Sequence, residues 1–249
     1  MSGFFAILKR ELLSLWVTPL AWVLLTIFLF LEGSIFNTIL LHFSAMPSID
    51  PDSSPMSAFL GQNSLLLAIT LLLICPALSM RTFAEEKRQK TLDILLASPV
   101  SAAALVLGKY VALLLTYCAF WLPTLLYAWV LRDTDIDWAA LATGYLGIFL
   151  LGSSSLALGV LMSALAPSQI VALMLASSLE FGLFVLGLGE YIFDSGFGQE
   201  LGAYVSMTNL LDEMSRGIVD TRRIVLHTSL TAWALFVCVA WIEGQRSDA

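Results

Sequence analysis

The chemistry-bearing residues of this chain concentrate in one charged stretch, Arg81-Thr-Phe-Ala-Glu-Glu-Lys-Arg-Gln-Lys-Thr-Leu-Asp-Ile-Leu-Leu-Ala-Ser-Pro-Val-Ser101. Its first ten positions hold four of the twelve Lys and Arg residues, and long apolar runs flank it on both sides. Ion pairing and docking to a soluble partner fit these residue types better than bond-breaking does. Two further carboxylates, Glu32 and Glu180, stand inside apolar runs. Each suits either a polar lining for a substrate path or a hydrogen bond between helices.

Other chemistries lack their residues. A phosphate-binding loop needs Gly-x-x-x-x-Gly-Lys followed by Ser or Thr. The Gly108-Lys109 pair has Ala103 in place of the first glycine and Tyr110 in place of the hydroxyl. No His-Glu-x-x-His motif and no pair of intramembrane aspartates is present, and the two histidines, His42 and His227, fall near span boundaries. Cys75, Cys118 and Cys238 lie inside apolar runs and show neither a disulfide framework nor metal-ligand spacing. No catalytic, cofactor or metal residue is assigned in this chain.

These groups must be carried by a membrane-embedded scaffold. The 249 residues are 59% hydrophobic and 12% charged, with mean hydropathy +0.88; a soluble domain carries roughly twice that share of charge. Runs long enough to cross a bilayer, roughly 20 residues each, occur near Val17–Leu41, Phe59–Met80, Leu105–Leu131, Trp138–Ala164, Gln169–Leu188 and Ile224–Ile242. Backbone amides left unpaired in lipid are costly, and no alternating barrel pattern is visible. The expectation is one all-α polytopic domain over residues 1–249 with six spans.

Orientation follows from the basic residues. With the N-terminus inside, eight Lys and Arg residues fall inside and four outside, which predicts cytoplasmic termini. The net charge of −7 is spread over both faces, including Asp50, Asp52, Asp133 and Asp135 outside, and resembles no nucleic-acid patch.

Local signals fill in the connections. In residues 1–16, Phe4, Phe5, Ile7, Leu8, Leu12, Leu15 and Trp16 recur at helical spacing with Lys9, Arg10 and Glu11 opposite, which predicts an interfacial helix rather than a cleaved signal peptide. The prolines between His42 and Ala58 predict an irregular outer loop. Between residues 189 and 223, an intermittent stripe of Leu201, Tyr204, Val205, Thr208, Leu211, Met214 and Ile218 predicts short helices folded onto the outer face. Asp212 and Glu213 are expected in an early turn, Arg216 in the last, Gly217 as a left-handed cap, and Asp220 or Thr221 as the cap of the final span. Residues 81–97 contain neither Gly nor Pro and read as one cytoplasmic helix with a Glu86–Lys90 pair, ended by Pro99 and followed by a second helix capped by Ser101.

The fourth span carries Gly144, Gly147, Gly152, Ser153, Ser154, Ser155 and Gly159, small enough for close helix packing. Glu180 lies eleven residues into the fifth span, about 17 Å along the helix, and follows Ser177 and Ser178. With Glu32 these form the candidate polar path.

The pattern Glu85-Glu-Lys-x-x-x-Thr91-Leu-Asp-x-Leu95-Leu96-x-x-Pro99-Val-Ser101, followed by Gly108-Lys109, resembles the first intracellular loop of ABC type-2 exporter permeases. The likeness extends over the interfacial helix, the six spans and the outer helical segment. Lys9-Arg-Glu-Leu12 with Thr18-Pro-Leu-Ala21 is similar to the gliding-motility-associated permeases. The resemblance implies a coupling helix seated in the groove of an ATP-hydrolysing subunit. Glu85, Glu86, Lys87 and Arg88 would make polar contacts there, and Thr91, Leu92 and Leu95 would pack. It further implies ATP and magnesium in separate ATPase subunits, a second permease copy or paralogue, an auxiliary membrane protein with a large outer domain, and a bacterial inner membrane. A secondary transporter or channel without an ATPase is the competing reading from the residues themselves.

Overall fold

The computed structural model describes residues 2–45, 54–62, 64–92, 95, 100–132, 137–193 and 196–247. Pro99 and most of the loop with Pro47, Asp50, Pro51 and Asp52 lie outside them, as do Asp133 and Asp135. The described residues are 88% helical, with no strand among them.

Helix α1 (Ser2–Val17) ends at an elbow where the Thr18 hydroxyl donates to the carbonyls of Ser14 (3.1 Å) and Leu15 (2.9 Å). Pro19 then opens α2 (Pro19–Ala45), a position where its missing N–H costs nothing. A short turn α3 (Pro55–Ser57), capped by Ser54, runs through a π-helical segment (Ala58–Gln62) towards α4 (Ser64–Ser79). The charged stretch contributes α5 (Ala84–Arg88). Then come α6 (Ala102–Trp121), a 3₁₀ turn (Leu122–Thr124), α7 (Leu125–Val130), α8 (Trp138–Leu165) and α9 (Gln169–Gly187). Three short helices, α10 (Gly189–Ile192), α11 (Phe197–Val205) and α12 (Met207–Ser215), precede α13 (Thr221–Ser247).

Among the described residues, five spans are long and apolar enough to cross a bilayer alone, and the pair Pro55–Gly61 and Leu65–Ser79, bent by 52°, brings the number to six when it is counted as one broken span. The second crossing is therefore kinked, and the outer loop is shorter than its prolines suggest, because α2 continues to Ala45 and helix resumes at Pro55. Both chain ends meet at Val100: Gly3 lies against its side chain, and Arg246 donates to its carbonyl at 3.2 Å. The termini thus share one end of the bundle, as an even number of crossings requires.

Helix α8 is the central post. Its span window is 78% buried, against 28% for α2, 22% for α9 and 17% for α13. The small residues of α8 explain this. At Gly152 a Cβ would stand 2.2 Å from the Tyr117 ring, and at Gly159 one would stand 2.0 Å from Ser79 Oγ. Close backbone approach of this kind is what small residues supply in membrane bundles.

At the far end, the amphipathic stripe is narrower than expected. Met207, Leu210, Leu211 and Met214 are buried, while Leu201, Tyr204 and Ile218 remain exposed. Asp212 and Glu213 sit late in α12 rather than in an early turn, where Asp212 pairs with Arg216 at 2.9 Å. Glu213 instead reaches the largely buried Arg223 of α13 at 2.9 Å, which also donates to the Ser206 carbonyl. Gly217 takes the left-handed φ of +79° expected of the cap, and Asp220 accepts from the Arg222 amide to start α13.

The packing generates a direct test. Gly159→Ala should destabilise the purified protein by about 1–3 kcal/mol through overpacking. Gly182→Ala, whose Cβ would meet nothing within 4 Å, should not. Thermal melting monitored by size-exclusion chromatography checks the contrast, and equal melting of the two variants would contradict the central role of α8.

Candidate functional site

The charged stretch is not one helix from residue 81 to 97. Helix α5 closes at Gln89, and Lys90 takes a left-handed φ of +56°, which turns the chain before Thr91. Such a backbone conformation is unfavourable for lysine. The surroundings hold the break in place.

Those surroundings come from four elements. Phe83 at the start of α5 offers no side-chain cap, so Ser163 of α8 supplies one, accepting from the amides of Phe83 (3.0 Å) and Ala84 (3.1 Å). The same hydroxyl donates to Met80 O at 3.0 Å. Lys87 donates to the Ala164 carbonyl at the end of α8, and its burial pulls the ammonium below its ordinary value. Ala84 packs with Ala166 and Ala172 at the α8–α9 turn. The stretch is therefore clamped to the end of the central post.

Its other anchor is ionic. Lys109 of α6 is 1% exposed, and its Nζ lies 2.9 Å from Glu86 and 3.0 Å from Glu11. Arg10 of α1 pairs with the same two carboxylates, at 3.0 Å to Glu86 and 2.6 Å to Glu11. The Phe83 ring lies 5.2 Å from the Lys109 ammonium and adds a cation–π contact. Glu86 thus faces α1 and α6, and the expected pair with Lys90 does not form. Burial alone would raise the Glu11 carboxyl, but Lys109 and Arg10 outweigh it and hold it below its ordinary value.

Helix α1 can lie this close because α6 has a glycine under it. At Gly108 a Cβ would stand 2.9 Å from Ile7 Cγ2. Ile7 is buried there, while Phe5, Lys9, Arg10 and Leu13 stay exposed. Glu11 turns towards the bundle to meet Lys109, and Phe5 of the expected apolar face is exposed.

Of the residues singled out for partner contact, Arg88 and Thr91 are exposed and Leu95 is half-buried. Glu85 is held below its ordinary value by its hydrogen bond from Arg88 (2.8 Å), with Gln89 donating to the same oxygen. Leu92 is buried in this chain's own core. Arg10, Glu11 and Lys109 were not singled out as site residues. The signal that points to them is a lysine about two turns into an apolar helix, which needs a carboxylate partner.

The intramembrane group does not share one face. Glu180 is buried towards Cys75 of α4, whereas Ser178 is exposed and Ser177 half-buried. Glu32 is buried near Thr70, whose hydroxyl donates to Leu66 O instead. Neither carboxyl has a hydrogen-bond partner among the described residues.

A loop clamped to a bundle of five or six candidate spans, with α1 ionically tied to it, is the geometry at hand when known families are compared. The model of the family described as ABC-2 family transporter protein matches residues 33–242. The chain belongs to the ABC-2 transporter family. It is a multi-pass permease subunit of an ABC transporter, of a family whose members generally work with ABC ATPases and are generally not themselves catalytic. Comparison with curated proteins gives no significant match. The family match begins at residue 33, so α1 with Arg10 and Glu11 lies outside it, while Glu86 and Lys109 of this permease lie within it.

Lys109→Met should detach α1 from the permease. Removing one partner of a buried pair costs about 3 kcal/mol at the low end, and Arg10 still reaches both carboxylates. Acid should do the same. The Glu11 contribution is complete above the carboxyl's ordinary 4.5 and is lost as the pH falls through its lower folded value. Protease cleavage within α1, compared between wild type and variant across pH 3–7, reads both effects. Unchanged protection in the variant would contradict the ionic tether.

Proposed function

We propose that residues 81–101 form the docking element for an ABC ATPase and that α1 moves with it as one unit. The observation that carries this reading is the buried Lys109 held between Glu11 of α1 and Glu86 of α5. Displacing α5 without α1 would strip a carboxylate from an enclosed ammonium, which is expensive. The exposed side chains of Arg88, Gln89, Lys90 and Thr91 are the ones a groove would receive, with Leu95 and Glu85 at its edge. Glu86 and Lys87 then pass the displacement inward, to α6 and to the end of α8, while Leu92 anchors the segment in the core.

On this reading ATP and magnesium belong to the partner subunits, and the work drives export or transmits force across a bacterial inner membrane with both termini cytoplasmic. A second copy or paralogue completes the pair. The likeness of Lys9-Arg-Glu-Leu12 and Thr18-Pro-Leu-Ala21 to gliding-type permeases supports an auxiliary protein with a large outer domain. Glu180 and Glu32, buried without partners, are the groups a rearranged bundle would bring to a polar path.

Reversing Arg88 and Lys90 together to Glu should weaken ATPase association by about 2 kcal/mol, roughly thirtyfold in Kd. Lys109→Met should spare association yet lower permease-stimulated hydrolysis. Co-purification and hydrolysis at matched permease abundance measure the two. Association unaffected by the double reversal would remove this surface from the docking site.

For the polar path, Glu180→Gln should preserve assembly and alter transport-linked hydrolysis, whereas Glu180→Leu should also lower the melting temperature. Normal hydrolysis in both variants would make Glu180 a packing residue.

A further inference from the structure

Beneath the second half of α1, a cleft of about 530 Å³ opens between that helix, the end of α4, the middle of α6 and the charged turn. Its size falls within the range of small-ligand sites. Three cations, Arg10, Arg81 and Lys109, and three anions, Glu11, Glu85 and Glu86, line it, so its formal charge is zero. Leu15, Leu78 and Leu113 form an apolar part of the same wall.

The hydrogen bonding of this neutral set is incomplete on both sides. Glu85 Oε2 and Glu86 Oε2 are buried with no partner among the described residues. Arg81 makes no hydrogen bond among them either, although its charge acts on Glu85. Buried acceptors left without donors are costly. A single occupant carrying both an N–H-bearing cation and an anion would complete the set.

From this geometry we infer that the cleft holds the headgroup of an aminophospholipid of the phosphatidylethanolamine class. The primary ammonium donates to the free oxygens of Glu86 and Glu85. The phosphate takes the guanidinium of Arg81, whose fork suits phosphate oxygens. The glycerol end rests on Leu15, Leu78 and Leu113. Placement agrees with chemistry, because an amphipathic helix exposing Phe5, Leu13 and Val17 lies at headgroup depth. Phosphatidylcholine lacks N–H donors for the carboxylates. Phosphatidylglycerol lacks the cation altogether and brings net negative charge to three glutamates. The bound lipid thereby joins α1, α5, the apolar end of α4 and the middle of α6, beyond the ionic contacts within the chain.

The test uses the full-length, delipidated chain and native mass spectrometry with lipids of matched acyl chains. Phosphatidylethanolamine should bind about tenfold more tightly than phosphatidylcholine or phosphatidylglycerol, as expected for charge-assisted hydrogen bonds. Affinity should fall stepwise through the N-methyl and N,N-dimethyl headgroups, and Arg81→Gln should weaken binding of all three lipids together while keeping their order, because the phosphate it holds is common to them. The methylation series needs no variant, so a substitution that fails to fold leaves the test intact. Equal binding of the three lipids would overturn the inference. Because the lipid comparison is made without an ATPase, it fails or succeeds separately from the docking proposal.

Discussion

An ammonium shut away from water must be held by carboxylates, and Lys109 is such a group. Its stem lies in α6 among Leu105, Val106 and Leu113, while its charge is met by Glu11 from α1 and Glu86 from α5. The lysine thereby fixes two elements that the chain places far apart in sequence. Satisfying that charge turns Glu86 inward and ties α1 over Gly108, where the missing side chain admits Ile7. Arg10 bridges the same carboxylates from the outside, so the cluster has two positive and two negative members and needs no counterion.

This arrangement gives the charged turn two kinds of attachment. Towards α8 it is held by short-range hydrogen bonds, through Ser163 and the Ala164 carbonyl. Towards α1 and α6 it is held by charge. Hydrogen bonds to a helix end fix position and direction, whereas an ion cluster tolerates small displacements without losing its attraction. A push on α5 therefore reaches the central post directly and α1 through the cluster. Helix α8, packed closely through Gly152 and Gly159, is the element least able to yield locally and so the one suited to carry the push to the far end. There Thr143 donates to Met214 O at 2.6 Å, joining the post to α12.

Much of the architecture was legible because it rests on local rules. Apolar run lengths located the spans, the periodicity of residues 4–16 located α1, and Gly217, Asp220 and Ser101 marked helix ends by their backbone preferences. What was not legible depended on contacts between distant segments. Propensity favoured one helix through residues 81–97, since nothing in that window breaks a helix. The break at Lys90 accompanies anchorage by Ser163, Lys109 and Arg10, which lie in other elements. Likewise Glu86 could pair locally with Lys90, yet the buried Lys109 is the stronger claimant because its charge is enclosed. The stripe over residues 201–218 was read too wide, because only α12 packs against α8. The second span looked continuous, whereas its two helical pieces, Pro55–Gly61 and Leu65–Ser79, meet at 52°.

The central claim is that α1 and α5 move as one body when the permease works. Spin labels at Lys9 and Gln89, both exposed, report their separation by pulsed electron resonance, while a label at Ser229 on the exposed side of α13 supplies a bundle reference. With the ATPase partner bound, the distance from Gln89 to Ser229 should change between the nucleotide-free and ATP-bound states while that from Lys9 to Gln89 stays constant. A Lys9–Gln89 distance that changes as much as the reference distance would show that the ion cluster does not couple the two helices, and the account would fail.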